Sequence, residues 1–200
     1  MKEFKWEDFY KITKDRPPWP LLVQAVSLLS NGKYALDLGC GAGRDTRFLL
    51  EQGFTVTAVD SDPHVIALLE FFPRDRLRVV QSSFEAFEFE KYDLVNAHFA
   101  LPFAPEDRFH EVFARIKRAL NAGGIFVGQF FGVNDEWNTA GNQMTFFTRE
   151  QAEAELKELR VLEFREEKAT VSKKRGKRDQ TWAKRQYFGP LDGREPSFYT

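Results

Sequence analysis

The chain has 200 residues, the size of one α/β domain with a full core, and its 29 Lys and Arg nearly cancel its 30 Asp and Glu. That balance argues against a chain-wide field that would gather nucleic acid or an anionic membrane. Cys40 is the only cysteine, so no intrachain disulfide can form; no apolar run approaches the ~20 residues of a bilayer crossing, and Met1 is followed by charged and aromatic residues, so the expected location is the cytoplasm.

Residues 3–14 predict a short amphipathic helix, stopped by Arg16-Pro17-Pro18-Trp19-Pro20, and residues 21–30 predict a second helix ended by Asn31-Gly32. Strands follow over 33–38, 54–59, 77–81, 92–97 and 124–131, separated by helices near 43–52, 62–71 and 105–121. Asn121-Ala122-Gly123-Gly124 reads as the turn before the fifth strand. Thr148, with Gln151 at capping-box spacing, opens a helix ending near Leu159, and 161–171 alternates enough for a sixth strand. This alternation predicts a three-layer αβα sandwich, a Rossmann-like and mostly parallel sheet covered on both faces. One domain is expected over 1–200: an N-terminal helical lid over 1–32, a core over 33–171, and a basic hairpin with an atypical tail over 172–200.

Within this frame, the apolar run before Gly39 ends in glycines at 39, 41 and 43, and the helix predicted next places its N-terminus beside that turn. Seventeen residues beyond Gly43 a second apolar run ends in Asp60, where nucleotide-binding βαβ units present a carboxylate to ribose hydroxyls. A dinucleotide fingerprint would require glycine at position 44, which is Arg44, so pyrophosphate binding by a nicotinamide-dependent oxidoreductase is the weaker reading. A tight structural turn needs glycine too, and that alternative stands beside the functional one.

With Asp37 two residues ahead of the first glycine, the segment resembles the first motif of class I S-adenosylmethionine-dependent methyltransferases. The stretch from Asn96 to Phe103 is similar to that of small bacterial enzymes of the tellurite-resistance and thiopurine type, and the likeness spans about residues 4–165. It implies a seven-stranded sheet and S-adenosylmethionine as cofactor. Asp37, Gly39, Gly41 and Gly43 would hold the methionyl end, Asp60 the ribose, with Ser61 and Asp62 supporting that turn, and Ser83 and Phe84 would face adenine. Ser83 stands where related enzymes often carry Asp, and it reads equally well as a helix cap. Tyr10 and Arg16 could close on the methionyl part, Arg16 pairing with its carboxylate, or the same helix could simply cover the sheet edge.

Asn96 to Phe99 would approach the sulfonium and the acceptor. No catalytic residue is assigned: His98 is a candidate general base, although a lone histidine near an apolar loop is more often a hydrogen-bonded bystander. Phe99 and Trp137 are candidate substrate contacts, Trp137 reading rather better as a loop plug. The three histidines share no metal-ligand spacing, and no metal is expected. The resemblance implies methyl transfer to a small molecule or soft nucleophile by in-line displacement, where positioning in a water-poor cleft supplies most of the catalysis. The expected assembly is a monomer or weak homodimer without nucleic acid or membrane partners.

The other class of function is a non-catalytic S-adenosylmethionine-binding module that engages RNA or protein through the basic run Lys173-Lys174-Arg175-Gly176-Lys177-Arg178; a solvated hairpin explains that run more simply. The family's final apolar strand should follow, yet residues 181–188 are heavily charged, predicting a poor edge strand or an altered ending, with 189–200 as loop.

Overall fold

A computed structural model describes residues 6–170 and 181–189. Period-two burial makes the strands. Leu36, Leu38, Val59, Val95, Ala97, Phe126 and Phe130 feed one buried cluster, while Ala35, Val56, Ala58, Leu94, Ile125 and Val127 feed another. Such two-sided burial is what a parallel sheet between helical layers requires.

The elements run α1 (Trp6–Thr13), α2 (Pro20–Ser27), β1 (Tyr34–Leu38), α3 (Arg44–Glu51), β2 (Thr55–Asp60), α4 (His64–Leu68), β3 (Leu77–Gln81), β4 (Tyr92–Ala97), α5 (Glu106–Ala119), β5 (Leu120–Gly132), β6 (Phe146–Phe147), α6 (Arg149–Glu155), β7 (Glu163–Thr170) and β8 (Thr181–Gly189). The sheet order is β3-β2-β1-β4-β5-β8-β7, with the two-residue β6 paired to the end of β5. All pairs are parallel except those of β8 with β5 and β7.

Phe109, Val112, Phe113 and Ile116 form the buried stripe of α5 at helical spacing. Phe113 meets Phe126 edge-on at 5.2 Å between centroids, and Phe109 meets Phe147 at 4.7 Å, so the abundant phenylalanines build this layer. On the other face lie α2, through Leu21, Leu22 and Ala25, and α3, through Leu49 and Leu50. Among the described residues no helix is long and apolar enough to cross a membrane.

Several boundaries differ from the sequence expectation. The helix predicted near 62–71 is only α4, after which Glu70 N and Phe72 N bond to Ala67 O and Leu69 O in three-residue turns ahead of Pro73. The turn expected at 121–124 lies inside β5: Tyr92 already pairs with Leu120, and the register shifts before Leu94 pairs with Ile125, so Gly123 (φ +75°) sits in an irregularity of the strand. Thr148 does cap α6, its hydroxyl accepting from Gln151 N while the Gln151 side chain accepts from Thr148 N.

The larger correction is at the C-terminal end. Residues 181–189 form neither an edge strand nor an irregular ending; β8 lies between β5 and β7 and pairs antiparallel with both. Its charged sequence hides this, because backbone pairing asks nothing of side-chain polarity. The basic run 173–178 and most of the tail expected as loop, 190–200, lie outside the described residues.

Candidate functional site

β1 is flanked by β2 on one side and β4 on the other, so the chain crosses over in opposite directions around it, and a crevice opens at the carboxyl ends of these strands. The crevice is a cavity of about 500 Å³, within the usual range of small-molecule sites. Its floor is the turn after β1, its walls the segments after β2, β3 and β4, and its roof the N-terminal segment from Trp6 to Trp19.

The turn is held from outside the ligand space. Gly39 N and Cys40 N both donate to Val59 O, at 2.8 and 3.1 Å, and Gly43 N donates to Cys40 O at 2.9 Å. Its glycines divide their tasks. Gly41 (φ +48°) faces the cavity, where a Cβ would press on the Tyr10 ring at 3.1 Å, and its N–H donates to Asp60 Oδ2 at 2.9 Å. Gly43 (φ +77°) lies outside the cavity lining; a Cβ there would sit 2.2 Å from Leu69, so it serves the packing of α4 against the start of α3.

Asp60 joins the two halves of the site. Besides Gly41 N it accepts from Asp62 N at 3.0 Å through Oδ1, and burial raises its pKa. A carboxylate has about four acceptor sites, and with the Ser61 backbone also bonded to Asp60 there is capacity left for a ligand hydroxyl. Asp62 accepts from His64 N at 2.9 Å and from the Tyr10 hydroxyl, tying α1 over the turn. Arg16 lines the cavity from the same roof and makes no ion pair with another described residue.

Behind the floor lies an acidic network. Asp37 accepts from the Thr46 hydroxyl at 2.5 Å and from Asn96 Nδ2 at 2.8 Å; the same Asn96 nitrogen is 3.2 Å from Asp45 Oδ2. Burial, together with the charge of Asp45, pushes the Asp37 carboxyl up to about 7. Asp45 is raised by burial and opposed by Arg44, whose Nε lies 3.2 Å from its Oδ1. Trp19 N also donates to Asp45 at 3.3 Å, and the Arg44 guanidinium sits 4.3 Å over the Trp19 ring. Trp19 in turn stacks on His98 at 5.8 Å and lies 4.6 Å from Phe99. Phe99 has a φ of +53°, the one positive value outside glycine among the described residues, a conformation costing about 1–2 kcal/mol for an L residue. Strain of that kind clusters at ligand sites.

Of the residues singled out from sequence, Tyr10, Arg16, Asp37, Gly39, Gly41, Asp60, Ser61, Ser83, Phe84, His98 and Phe99 come together around this one cavity. Ser83 caps locally as well, accepting from Ala86 N at 3.3 Å. Three of the residues singled out lie outside this lining. Gly43 is a packing glycine, and Asn96 lies behind the cavity wall, 1% exposed, holding Asp37, Asp45 and His98 in place. Trp137 is also outside the lining, packed edge-on against Phe103 at 5.7 Å and Phe131 at 6.3 Å, so it plugs its loop. Sequence reasoning missed Asp45, an acidic residue in the first turn of a helix that reads as an ordinary dipole partner.

Residues 35–124 match the family model described as a methyltransferase domain. TehB of Haemophilus influenzae, a probable S-adenosyl-L-methionine-dependent methyltransferase, is 30% identical over 107 residues, covering 52% of this chain and 37% of that protein. Its crystal structure superposes with a TM-score of 0.75 at 20% identity, over 93% of this chain and 67% of that one. Trans-aconitate 2-methyltransferase of Escherichia coli is 30% identical over 127 residues, 62% of this chain and 47% of that protein. A Burkholderia thailandensis 1,6-didemethyltoxoflavin-N1-methyltransferase, solved with its substrate and S-adenosylhomocysteine, superposes with a TM-score of 0.63 at 23% identity, over 92% and 84% of the two chains. The chain spans about half or less of the length of the curated relatives named here. The likeness is to S-adenosylmethionine-dependent methyltransferases, and the chain shares the Rossmann-like fold of these solved structures.

The residues present fit that cofactor. The floor presents backbone without side chain at Gly39 and Gly41, Asp60 offers acceptor capacity beside it, and Arg16 offers a guanidinium to a carboxylate. Five carboxylates line the cavity against two guanidinium groups, a donor set suited to a cationic ligand.

Proposed function

We propose that the protein is an S-adenosylmethionine-dependent methyltransferase acting on a small-molecule acceptor. The observation that carries this reading is the bond from Gly41 N to Asp60, which locks the side-chain-free turn to a carboxylate in the wall of one acidic, aromatic-roofed cavity. The small acceptors named for the relatives, trans-aconitate and 1,6-didemethyltoxoflavin, support a small molecule here.

S-adenosylmethionine supplies an electrophilic methyl group that carries its own leaving group. What remains for this chain is binding, orientation and exclusion of water. Asp60 accepts from the ribose hydroxyls while its bond to Gly41 fixes the turn beneath. Arg16 pairs with the methionyl carboxylate, and Asp37 and Asp45 balance positive charge from below the floor. Phe84 packs at the adenine end, with Ser83 beside it. Trp19, Phe99 and Phe103 form apolar walls that keep water from the reacting end and hold a flat acceptor in place. The protein works in the cytoplasm as a monomer or weak homodimer.

The test is turnover. Incubated with S-adenosylmethionine and a mixture of small hydroxylated, amino and thiol acceptors, the protein should release S-adenosylhomocysteine and add the mass of one methyl group to an acceptor. Bound cofactor without turnover on any acceptor class would overturn the enzymatic reading.

A further inference from the structure

We propose that His98 Nε2 is a fixed hydrogen-bond acceptor that selects, for this cavity, an uncharged flat molecule presenting an N–H or O–H group. The proposal rests on the methyltransferase reading above and names the kind of acceptor its site would take.

The argument starts two residues upstream. Asn96 Nδ2 lies 2.8 Å from Asp37 Oδ1 and 3.2 Å from Asp45 Oδ2; even when this pair shares one proton the ionised partner accepts, so this end of the amide is assigned as the NH₂ group. The amide oxygen then faces His98, 2.6 Å from Nδ1, and an oxygen there requires the proton on Nδ1. The other ring nitrogen carries a lone pair. Nε2 lies across the imidazole from Nδ1 and is therefore turned from Asn96. His98 lines the cavity and is 6% exposed, and its Nε2, itself shielded from solvent, has no hydrogen-bond partner among the described residues.

The groups around the ring keep it neutral. Burial, helped by the Arg44 charge on α3, pulls the His98 pKa down to about 3, while Asp37 and Asp45 reach it only through the Asn96 amide. A general base works best with a pKa near the operating pH, so His98 is an acceptor and not a proton carrier. A buried acceptor left unpaired is costly; a ligand with a donor removes that cost and a ligand without one cannot. Trp19 and Phe99 beside it favour a flat ring. Anionic molecules are disfavoured because Arg44 is already paired with Asp45 and the remaining lining is rich in carboxylates.

The test uses protein labelled with ¹⁵N at histidine and saturated with S-adenosylhomocysteine, titrated to the solubility limit with matched probes: phenol against anisole, and indole against N-methylindole. Before probe is added, Nε2 should resonate as an unprotonated nitrogen, and Nδ1 as a protonated one, from about pH 5 to 8. Phenol and indole should shift the Nε2 resonance and bind about tenfold tighter than their methylated partners. That preference should vanish in His98→Phe, which keeps a ring for Trp19. Equal binding within each pair, no shift of Nε2 with any probe, or a protonated Nε2 would overturn the proposal even if the variant fails to fold. Absence of S-adenosylhomocysteine binding would instead overturn the methyltransferase reading on which it rests.

Discussion

Asp37→Asn tests the acidic floor of the site. In the native protein the Asp37 carboxyl is 2% exposed beside Asp45, and its pKa of about 7 stands above the ordinary 3.8. A carboxyl raised in the folded state contributes stability that is fully present below the unfolded value and is lost as pH rises through the folded one. The window is therefore about pH 4 to 7. Each unit of difference is worth about 1.4 kcal/mol, so a single independent group would lose about 4 kcal/mol across it. Sharing of the proton with Asp45 spreads that loss over the pair, and on the order of 1–3 kcal/mol should be assignable to Asp37. Asparagine has the right shape: its oxygen can accept from Asn96 Nδ2, and the Thr46 hydroxyl can turn to accept from its nitrogen. Urea denaturation of the ligand-free protein and the variant at pH 5 and pH 8 should show the variant gaining by that amount at the higher pH. Parallel pH dependence of the two proteins would refute the argument, because it would mean that Asp37 ionises in the fold without cost.

Other substitutions test single parts of the structure. Asp60→Ala removes the acceptor of Gly41 N and Asp62 N, and each such charge-assisted bond is worth about 1.5–3 kcal/mol, so S-adenosylhomocysteine affinity by calorimetry should fall about a hundredfold; parental affinity would discard its role. Gly43→Ala forces a side chain to φ +77° and within 2.2 Å of Leu69, and should cost about 2–3 kcal/mol in denaturant unfolding, whereas a neutral result would show that α4 yields freely. Thr148→Ala breaks the capping box of α6 and should cost about 1 kcal/mol of stability with cofactor affinity unchanged.

The turn after β1 and the carboxylate beside it were legible because they depend on backbone. A turn that needs residues without Cβ, followed by a strand ending in a carboxylate, leaves its mark in residue types at fixed spacing, and Gly39, Gly41 and Asp60 carry that mark. The same reasoning read Gly43 as part of the ligand turn because glycine needed for helix packing looks no different from glycine needed by a ligand. The burial of Asn96 was not legible for a related reason: strand alternation gives the face on which a residue lies, not the depth, and its carboxylate partners Asp37 and Asp45 come from two other elements. The strand over 181–189 was hidden by its charges, since period-two reading detects apolar burial and is blind to backbone pairing such as its ladders with β5 and β7. Trp19 shows the remaining gap. Its ring is a structural joint among Arg44, His98 and Phe99, and no local pattern in a proline-rich segment indicates which long-range neighbours it will find.

The central claim is a preformed S-adenosylmethionine site, and calorimetric titration of the purified protein with S-adenosylmethionine, S-adenosylhomocysteine and NAD tests it most directly. Micromolar-range binding of the first two and none of NAD is the predicted result, with both affinities reduced in Asp60→Ala. Binding of NAD in their place, or of none of the three, would contradict the account.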